Sequence, residues 1–554
     1  MKKLSILLLL AGAFLSINAQ NEDSKRNLDF SRQLEIFNEV YKTLELYHVD
    51  TLDAKKNIQN AINYMLQQID PYTEFYGTGH EDDLKIMRTG KYAGIGSVIS
   101  YNTKHDRCMI SDPYENMPAA KAGLRSGDII MAIDGKDTGV CGDKDRSAYS
   151  SDISNALRGA PETILNITVE RGGTPLTFHV TRKTIAIPSV SYHGMLQDSI
   201  GYICLENYQI NTGKEVSNAL TELKNKGAKR LILDLRGNSG GVMVEAVNIV
   251  GLFLPRGLDV VHTKGKIQES NTTMKTSSVP FDTEIPIVVL TDFGTASAAE
   301  ITAGVLQDYD RAVIVGHRTY GKGLVQITHE LPYNTNMKLT TSKYYIPSGR
   351  CIQAYEYKDG APVHLPDSLS KVFYTHGGRP VHDGGGITPD IIAKTDSLPN
   401  LLTELYYSEL LAEYTVNYRN THDSICPPEK FRLSDKEYAD FCSFMKENKF
   451  TYDKKSREAL KYLRNIAEFE GYKDETKAEF DALEKKLSHD IDYDFKKWES
   501  DIRRTIETLI ISKFYFARGA LKYNLQYDKQ VKKAIEVLCD DKQYRQILDG
   551  KSGK

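Results

Sequence analysis

The sequence predicts a mixed α/β protein whose central α/β part is flanked by helical regions. Three observations lead to this fold class. Apolar residues recur at helical spacing before residue 90, short apolar runs alternate with helix-like stretches from Gly201 to about residue 395, and a highly charged stretch with helical spacing follows residue 400. A chain of 554 residues is long enough for three or more domains with a substantial core.

Residues 1–19 have the pattern of a secretory signal peptide. Lys2 and Lys3 precede an apolar run from Leu4 to Leu15, and the small residue Ala19 ends the segment. No cysteine follows the run, so a lipid anchor is not expected, and no later stretch has the roughly 18 apolar residues of a membrane span. We therefore expect an exported, soluble, periplasmic protein that is cleaved after Ala19.

Charge and cysteine content exclude several other classes of protein. The net charge is −3 and no run of basic residues is present, so nucleic acid is not an expected partner. The seven cysteines are scattered and show no CxxC spacing, which argues against a zinc or redox site. We therefore expect no metal and no cofactor. A disulfide between Cys426 and Cys442 is left open.

Residues 25–89 are predicted to form a helical N-terminal region. Two amphipathic stripes support this prediction, and the second ends at Pro71. The stripes consist of Leu34, Phe37, Val40, Leu44 and Leu46, and of Ile58, Ile62, Met65, Leu66 and Ile69.

Residues 90–185 resemble a PDZ domain. Gly94, Ile95 and Gly96 fit a carboxylate-binding loop before a strand, and the segment from Pro118 to Ile130 fits the short helix and turn of bacterial PDZ domains. In such a domain a peptide C-terminus adds a strand to the sheet while backbone N–H groups hold its carboxylate. For the glycine segment taken alone, an ordinary turn before a strand is the alternative.

Residues 186–395 are predicted to form an α/β core. Strand 202–205, helix 212–226 and strand 231–235 lead directly into the glycine turn 236–241, which precedes helix 244–252. Such a turn at the carboxyl end of a strand can direct the N–H of Gly240 or Gly241 at a developing oxyanion. A plain strand-to-helix turn is the alternative.

Ser297 and Lys322 are the candidate catalytic pair. A buried strand at 287–290 precedes Ser297, and helix-like residues 301–308 and a strand at 311–316 follow it. Ser297 therefore lies near a helix start, where free N–H groups such as that of Ala298 favour negative charge. A desolvated, neutral lysine can take the proton of a serine hydroxyl. Small residues flank both side chains, which allows close approach of a substrate backbone.

The chain resembles the C-terminal processing peptidases, or tail-specific proteases, which are serine proteases with a Ser/Lys dyad. The resemblance covers about residues 30–395 and rests on seven segments in the same order. These segments are Ile69–Thr73, Gly94–Gly96, Asp234–Gly241, Gly294–Glu300, Tyr320–Gln326, Tyr345–Arg350 and Gly384–Asp390. The resemblance implies a crotonase-like protease core with the PDZ domain inserted before it. Thr295 and Ala299 replace serines that usually flank the nucleophile of the family.

The resemblance also implies a role for each matching residue. Ser297 corresponds to the nucleophile, Lys322 to the general base and Gln326 to the residue that orients the lysine. Asp308 and Glu300 correspond to supporting positions. Arg182, directly after the predicted last PDZ strand, matches a position that some members use to couple tail binding to the catalytic groups, and a plain domain-boundary salt bridge is the alternative.

Residues 400–554 are predicted to form a helical C-terminal region. Apolar residues recur every three or four positions, which predicts one long helix or two that pack against the core or a second subunit. They are Phe480, Leu483, Leu487, Ile491, Phe495, Trp498, Ile502, Ile506 and Leu509. Dimerisation, adaptor docking and simple support are left open as the role of this region.

The sequence thus predicts an exported serine endopeptidase that cleaves proteins near free C-terminal tails. The segment 316–323 nearly matches a phosphate loop, but Gly323 replaces the hydroxyl that would bind magnesium, so a nucleotide is not expected. The alternative function is a non-catalytic PDZ scaffold that binds C-terminal tails in the cell envelope.

Overall fold

A computed structural model describes residues 26–78, 81–395, 398–452, 455–488 and 490–550. The predicted signal peptide therefore lies outside the described residues. The described chain forms two compact units. The smaller unit contains the residues up to Gly77 together with Thr328–Leu339 and Tyr357–Ala361, and the larger unit contains the remainder.

The smaller unit begins with the predicted helices. Helix α1 spans residues 26–47 and α2 spans Ala54–Gln67, and strand β1 (Glu74–Tyr76) pairs antiparallel with residues 336–338. Helix α2 ends earlier than its apolar stripe because Asp70 forms a turn, in which its carboxylate accepts the N–H groups of Tyr72 and Thr73 at 2.8 Å. The helical N-terminal region is confirmed.

The next segment forms a small sheet domain after helix α3 (Glu81–Thr89). Five strands lie in the order β3-β4-β5-β7-β8, β6 pairs with β5, and β2 pairs with β9. The elements are β2 (Lys91–Gly94), β3 (Ser97–Asn102), β4 (Arg107–Pro113), α4 (Pro118–Ala122), β5 (Ile129–Ile133), β6 (Lys136–Asp137), α5 (Arg146–Leu157), β7 (Ile164–Arg171), β8 (Thr174–Thr181) and β9 (Lys183–Ala186). Strand β3 is an edge strand and follows the predicted carboxylate loop directly.

The α/β core contains a six-stranded sheet of order β10-β11-β12-β15-β16-β23, parallel except for β10. Its elements are β10 (Val190–Met195), β11 (Ile200–Leu205), α6 (Thr212–Asn225), β12 (Arg230–Asp234), α7 (Met243–Val250), β13 (Asp259–Gly265), β14 (Thr273–Lys275), β15 (Ile287–Thr291), α8 (Ala298–Asp308) and β16 (Val313–Gly316). Strands β17 (Leu324–Leu331), β18 (Thr335–Tyr345), β19 (Tyr355–Lys358), β20 (Ala361–His364), β21 (Val372–Tyr374), β22 (Pro380–His382) and β23 (Ile391–Ile392) follow.

The C-terminal region is helical, as predicted, but its apolar stripe was assigned to too few helices. Residues 480–509 lie in three helices rather than one or two. The first of these helices ends at Leu487, and Asp490 caps the next one by accepting the N–H of Tyr493. The second helix ends before Trp498, which separates it from the third. The helices are α9 (Asn400–Tyr407), α10 (Glu409–Thr421), α11 (Asp435–Glu447), α12 (Lys455–Phe469), α13 (Lys477–Leu487), α14 (Ile491–Lys497), α15 (Glu499–Asn524), α16 (Lys529–Cys539) and α17 (Asp541–Leu548).

The last two helices cover one face of the six-stranded sheet. Alternate strand residues point to opposite faces, so Leu233 and Val289 pack among residues of α6, α7 and α8, whereas Ile232 and Val288 pack among residues of α16 and α17. The hydroxyl of Tyr544 also accepts the N–H of Ile287 at 2.9 Å. Helices α16 and α17 therefore complete the α/β core rather than extend from it.

Two findings bear on compartment and cross-linking. All seven cysteines lie in described parts of the chain and are free thiols, Cys426 and Cys442 included. Within the described ranges, no helix has both the length and the apolar character needed to cross a bilayer.

The packing of α16 on the sheet predicts a large effect of Leu538→Ala. Leu538 is 1% exposed in the core, whereas Leu483 on α13 is 44% exposed. We expect Leu538→Ala to lower the free energy of unfolding by about 2–5 kcal/mol and Leu483→Ala by less than about 1 kcal/mol. Urea unfolding monitored by circular dichroism measures both, and equal effects would contradict the placement of α16 in the core.

Candidate active site

Ser297 is the N-cap of α8, as the sequence predicted. Its backbone has φ 56° and ψ −118°, a conformation that a residue with a side chain rarely adopts. The turn before Ser297 is fixed to the segment that follows strand β12. Thr295 Oγ1 donates to the backbone carbonyl of Leu235 at 2.8 Å, and the N–H of Ala296 donates to the backbone carbonyl of Asn238 at 2.9 Å. The serine is thus held half-buried at the first turn of a helix that is otherwise buried.

The Glu300 carboxylate joins the serine segment to the lysine segment. Oε2 accepts the N–H of Ser297 at 2.9 Å and the N–H of Lys322 at 2.8 Å. Oε1 accepts the N–H of Gly321 at 2.7 Å and the hydroxyl of Thr319 at 2.5 Å. One side chain therefore fixes the backbone of both candidate catalytic residues.

The environment of Glu300 sets its protonation. Burial of the fully enclosed carboxyl raises its pKa from 4.5 to about 7, against the opposing effect of the four hydrogen bonds. The carboxyl therefore titrates near neutral pH.

Lys322 lies in a loop that approaches neighbouring backbone closely. Gly321 has φ +86°, and a Cβ there would lie 2.4 Å from the Cβ of Ala354, while a Cβ at Gly323 would lie 2.8 Å from the nitrogen of Gln353. The hydroxyl of Tyr344 donates to the carbonyl of Lys322 at 2.7 Å and lies 3.3 Å from that of Ser297. Tyr344 is thus a second link between the two segments, one that sequence reasoning missed.

The predicted oxyanion turn packs directly against Ser297. A Cβ at Gly240 would lie 2.8 Å from both the Cβ of Ser297 and the nitrogen of Ala298, so only glycine fits there. The N–H of Gly240 donates to Asn238 Oδ1 at 2.8 Å. Among the described residues, the N–H groups of Ala298 and Gly241 have no hydrogen-bond acceptor.

The same turn is tied to the C-terminal helices through Arg236. The guanidinium binds both carboxylate oxygens of Asp234, at 2.5–3.1 Å, and also bonds Asp528 Oδ2 and Gln530 Oε1, each at 2.8 Å. Asp528 is the N-cap of α16. This contact could not be predicted, because Arg236 and Asp528 are almost 300 residues apart in the sequence.

Two further predicted site residues have structural partners. Gln326 on β17 donates from Nε2 to Thr340 Oγ1 at 3.1 Å, so its orientation of Lys322 stays a prediction. Asp308 ends α8, about 16 Å along the helix from Ser297. There it forms a fully buried ion pair with Arg350 at 2.8 Å. This ion pair supports the fold at a distance from Ser297 and Lys322.

The predicted tail-binding loop connects β2 to edge strand β3. Ile95 is buried, and Gly96 has φ +72° with its Cβ position 2.5 Å from the Cβ of Met117, so the turn needs glycine. The carbonyl of Ile95 accepts the N–H of Ala119 at 2.8 Å, which fixes the loop on α4. An open strand edge after a glycine loop is the geometry that strand addition needs.

Arg182 caps a helix within the same domain. Nε donates to the carbonyl of Leu157 at 3.1 Å and Nη2 to that of Ala156 at 3.0 Å, which places its charge at the C-terminal end of α5. Among the described residues Arg182 forms no salt bridge at the domain boundary, and its role in coupling tail binding to the catalytic groups stays a prediction.

Three family models match the chain. Peptidase family S41 matches residues 199–363, a PDZ domain matches 109–171, and the C-terminal helical domain of a probable PDZ-protease matches 401–538. The carboxy-terminal-processing protease of Bartonella bacilliformis is 32% identical over 65% of this chain and 83% of its own length. A probable CtpA-like serine protease of Staphylococcus aureus is 30% identical over 59% of this chain and 64% of its own length.

A solved structure, the photosystem II D1 C-terminal processing protease, is also similar. It is 26% identical, with 66% of this chain and 88% of that chain covered at a TM-score of 0.34. The matches define a serine peptidase that carries a PDZ domain. The chain belongs to Peptidase family S41, with the carboxy-terminal-processing proteases among its relatives.

The Glu300 contacts predict a loss of activity in Glu300→Gln. The amide would face the N–H of Gly321 with a second donor, and the lysine loop would shift. We expect kcat for peptide cleavage to fall about 10- to 100-fold with KM nearly unchanged. The matched control is Glu245→Gln, because Glu245 is also a buried helical carboxylate that accepts two backbone N–H groups. Equal kcat in both variants would contradict a positioning role.

The raised pKa of Glu300 provides a second readout of the same contact. The pKa is about 7 in the folded protein and 4.5 as the reference value. The protonated Glu300 carboxyl therefore makes its full contribution to the free energy of unfolding below pH 4.5. This contribution, roughly 3 kcal/mol, is lost as the pH rises through about 7. The unfolding free energy of wild type relative to Glu300→Gln should fall from pH 5 to pH 8, and a constant difference would contradict the raised pKa.

Proposed function

We propose that this protein is an exported serine endopeptidase that cleaves proteins near their C-terminal tails with a Ser297–Lys322 dyad. The observation that carries the proposal is the Glu300 carboxylate, which binds the backbone N–H of both residues. A supporting side chain that fixes nucleophile and base together is what a preorganised dyad needs. Export rests on the predicted signal peptide of residues 1–19 alone.

In the proposed reaction, Ser297 Oγ attacks the scissile carbonyl carbon and neutral Lys322 Nζ accepts the hydroxyl proton. The attack forms the bond between Oγ and the carbonyl carbon and moves negative charge onto the carbonyl oxygen. As this oxyanion collapses, the peptide C–N bond breaks and the ammonium of Lys322 gives the proton to the leaving amine, which leaves an acyl-enzyme. Water then attacks the acyl-enzyme and gives a proton to Nζ, which passes it to Oγ as the acid is released.

The oxyanion is assigned to the N–H groups of Ala298 and Gly241. Both lack an acceptor among the residues that the structure describes, whereas the N–H of Gly240 is used by Asn238. The dipole of α8 adds to the stabilisation of negative charge at its N-terminus. Gln326 is assigned to orient the lysine: Thr340 holds its amide nitrogen, which leaves Oε1 as the acceptor for Nζ.

Substrate choice is assigned to the PDZ domain. A free C-terminal carboxylate would bind at Gly94–Gly96, and the tail would add to the edge of β3, so substrates would be exported proteins with free, apolar C-termini. An adaptor that docks on the helical regions, and self-association through them, remain predictions.

The dyad predicts that Ser297→Ala and Lys322→Ala each fold but lose peptide cleavage by roughly 10⁴-fold or more. Matched controls are Ser217→Ala on helix α6 and Lys226→Ala at the C-cap of that helix, and both should keep full activity. Because the reaction needs no metal, a chelator should leave wild-type activity unchanged. Full activity in either dyad variant, or loss of wild-type activity with chelator, would refute the assignment.

Tail capture predicts slower cleavage of a peptide whose C-terminus is amidated. The amide removes a charge and an acceptor, which weakens capture by about 1 kcal/mol or more. Gly96→Ala should abolish the difference between free and amidated peptides, because its Cβ would collide with Met117. Gly135→Ala is the matched control, a positive-φ glycine of the same domain with nothing within 4 Å of its Cβ position. Equal wild-type rates for the two peptides would exclude tail capture.

A further inference from the structure

A cavity of about 260 Å³ lies between the PDZ domain and the C-terminal helices, and none of its lining residues belongs to β3 or to α8. Its PDZ wall is formed by the end of β4 and by the turn after α4, and its helical wall by α10 and α15. The lining includes Asp112, Arg125, Ser126, Arg419, Lys513 and Phe516.

Three cationic side chains line this cavity, and none of them has an acidic partner within 4 Å among the residues that the structure describes. Lys513 Nζ donates to the hydroxyl of Ser126 at 2.7 Å, and burial lowers the pKa of this lysine. Arg419 donates from Nη1 to the carbonyl of His422 and stacks on Phe514, while its buried Nε has no partner. Within the described ranges, the guanidinium of Arg125 forms no ion pair or hydrogen bond.

The walls of the cavity are held together by direct contacts on either side. Lys104 of the PDZ domain forms an ion pair with Glu413 of α10 at 2.7 Å. A Cβ at Gly127 would lie 2.4 Å from Cγ1 of Val416, so the backbone of the PDZ turn lies tightly on the same helix. The cations therefore cannot relieve their repulsion by simple separation of the two domains.

Helix α15 is interrupted where it reaches the cavity. Tyr515 has φ −121° and ψ 15°, and Phe516 has φ 58° and ψ −173°, which is a strained conformation for an aromatic residue. The interruption directly follows Lys513 and Phe514, and Phe516 itself lines the cavity.

We propose that this cavity binds a small oxyanion of the phosphate class. Half-buried cations without counter-charges are costly, and a bound anion removes that cost. Arg125, Arg419 and Lys513 outnumber the carboxylates near them, which are Asp112 in the lining and Asp423 close to Arg419, so a net positive charge remains for an anion to balance. Arginine guanidinium groups match the geometry of phosphate oxygens, and the ammonium of Lys513 adds a point charge.

The volume limits the ligand to a small group. A cavity of about 260 Å³ accommodates one phosphate with several waters or a short phosphate monoester, but not a folded segment. Because both domains supply cations, the bound anion would join the PDZ domain to the helical region.

The test is calorimetric titration of the purified full chain with inorganic phosphate and, separately, with glycerol 3-phosphate at constant ionic strength. We expect saturable binding of one phosphate group per chain, weakened at least tenfold in Arg125→Gln and in Lys513→Gln. Arg256→Gln is the matched control, because Arg256 is an exposed arginine of the same compact unit, and it should bind as wild type does.

The two ligands distinguish free inorganic phosphate from the phosphate group of a larger molecule as the occupant of the cavity. Equal or tighter binding of inorganic phosphate supports a site for the free anion, whereas tighter binding of glycerol 3-phosphate supports a site for the phosphate end of a larger molecule. Absence of saturable binding of both in wild type, or equal affinities in wild type, Arg125→Gln and Lys513→Gln, would overturn the proposal. Circular dichroism of each variant confirms that a loss of binding is not a loss of folding.

Discussion

The Glu300 carboxylate is buried at the first turn of a helix, and the geometry of the candidate site depends on it. It accepts the N–H of Ser297 from its own helix start and the N–H groups of Gly321 and Lys322 from a loop more than 20 residues away. Without this acceptor, three backbone donors would be left unsatisfied in a buried place, at about 1–3 kcal/mol each. The carboxylate therefore couples the position of the serine to that of the lysine.

The glycine turn beside Ser297 is held in place by contacts with the serine and with the C-terminal helices. The glycine turn at Gly240 contacts Ser297 so closely that no side chain fits between them, and Arg236 anchors that turn to Asp528 at the start of α16. Since α16 and α17 also bury one face of the central sheet, the end of the chain belongs physically to the protease core.

Local patterns in the sequence sufficed for much of this account. Apolar runs and glycine turns placed Ser297 at a helix start and the turn 236–241 at the end of a strand, because both follow from nearest-neighbour backbone rules. The contacts of Glu300, Tyr344 and Asp528 could not be predicted, since each joins segments that only the tertiary fold brings together. The stripe from Phe480 to Leu509 showed which face is apolar, but apolar spacing alone carried no information about breaks at Asp490 and Trp498, nor about which helices cover the sheet.

Hydrogen exchange at individual amides tests the coupling by Glu300 most directly. In wild type, the N–H groups of Ser297, Gly321 and Lys322 should exchange slowly, because all three donate to one buried carboxylate. In Glu300→Gln, exchange should accelerate together in the peptides that cover residues 295–300 and 319–323, while Glu245→Gln leaves both unchanged. Acceleration in only one of the two segments, or in neither, would contradict the claim that this carboxylate holds the serine and the lysine in register.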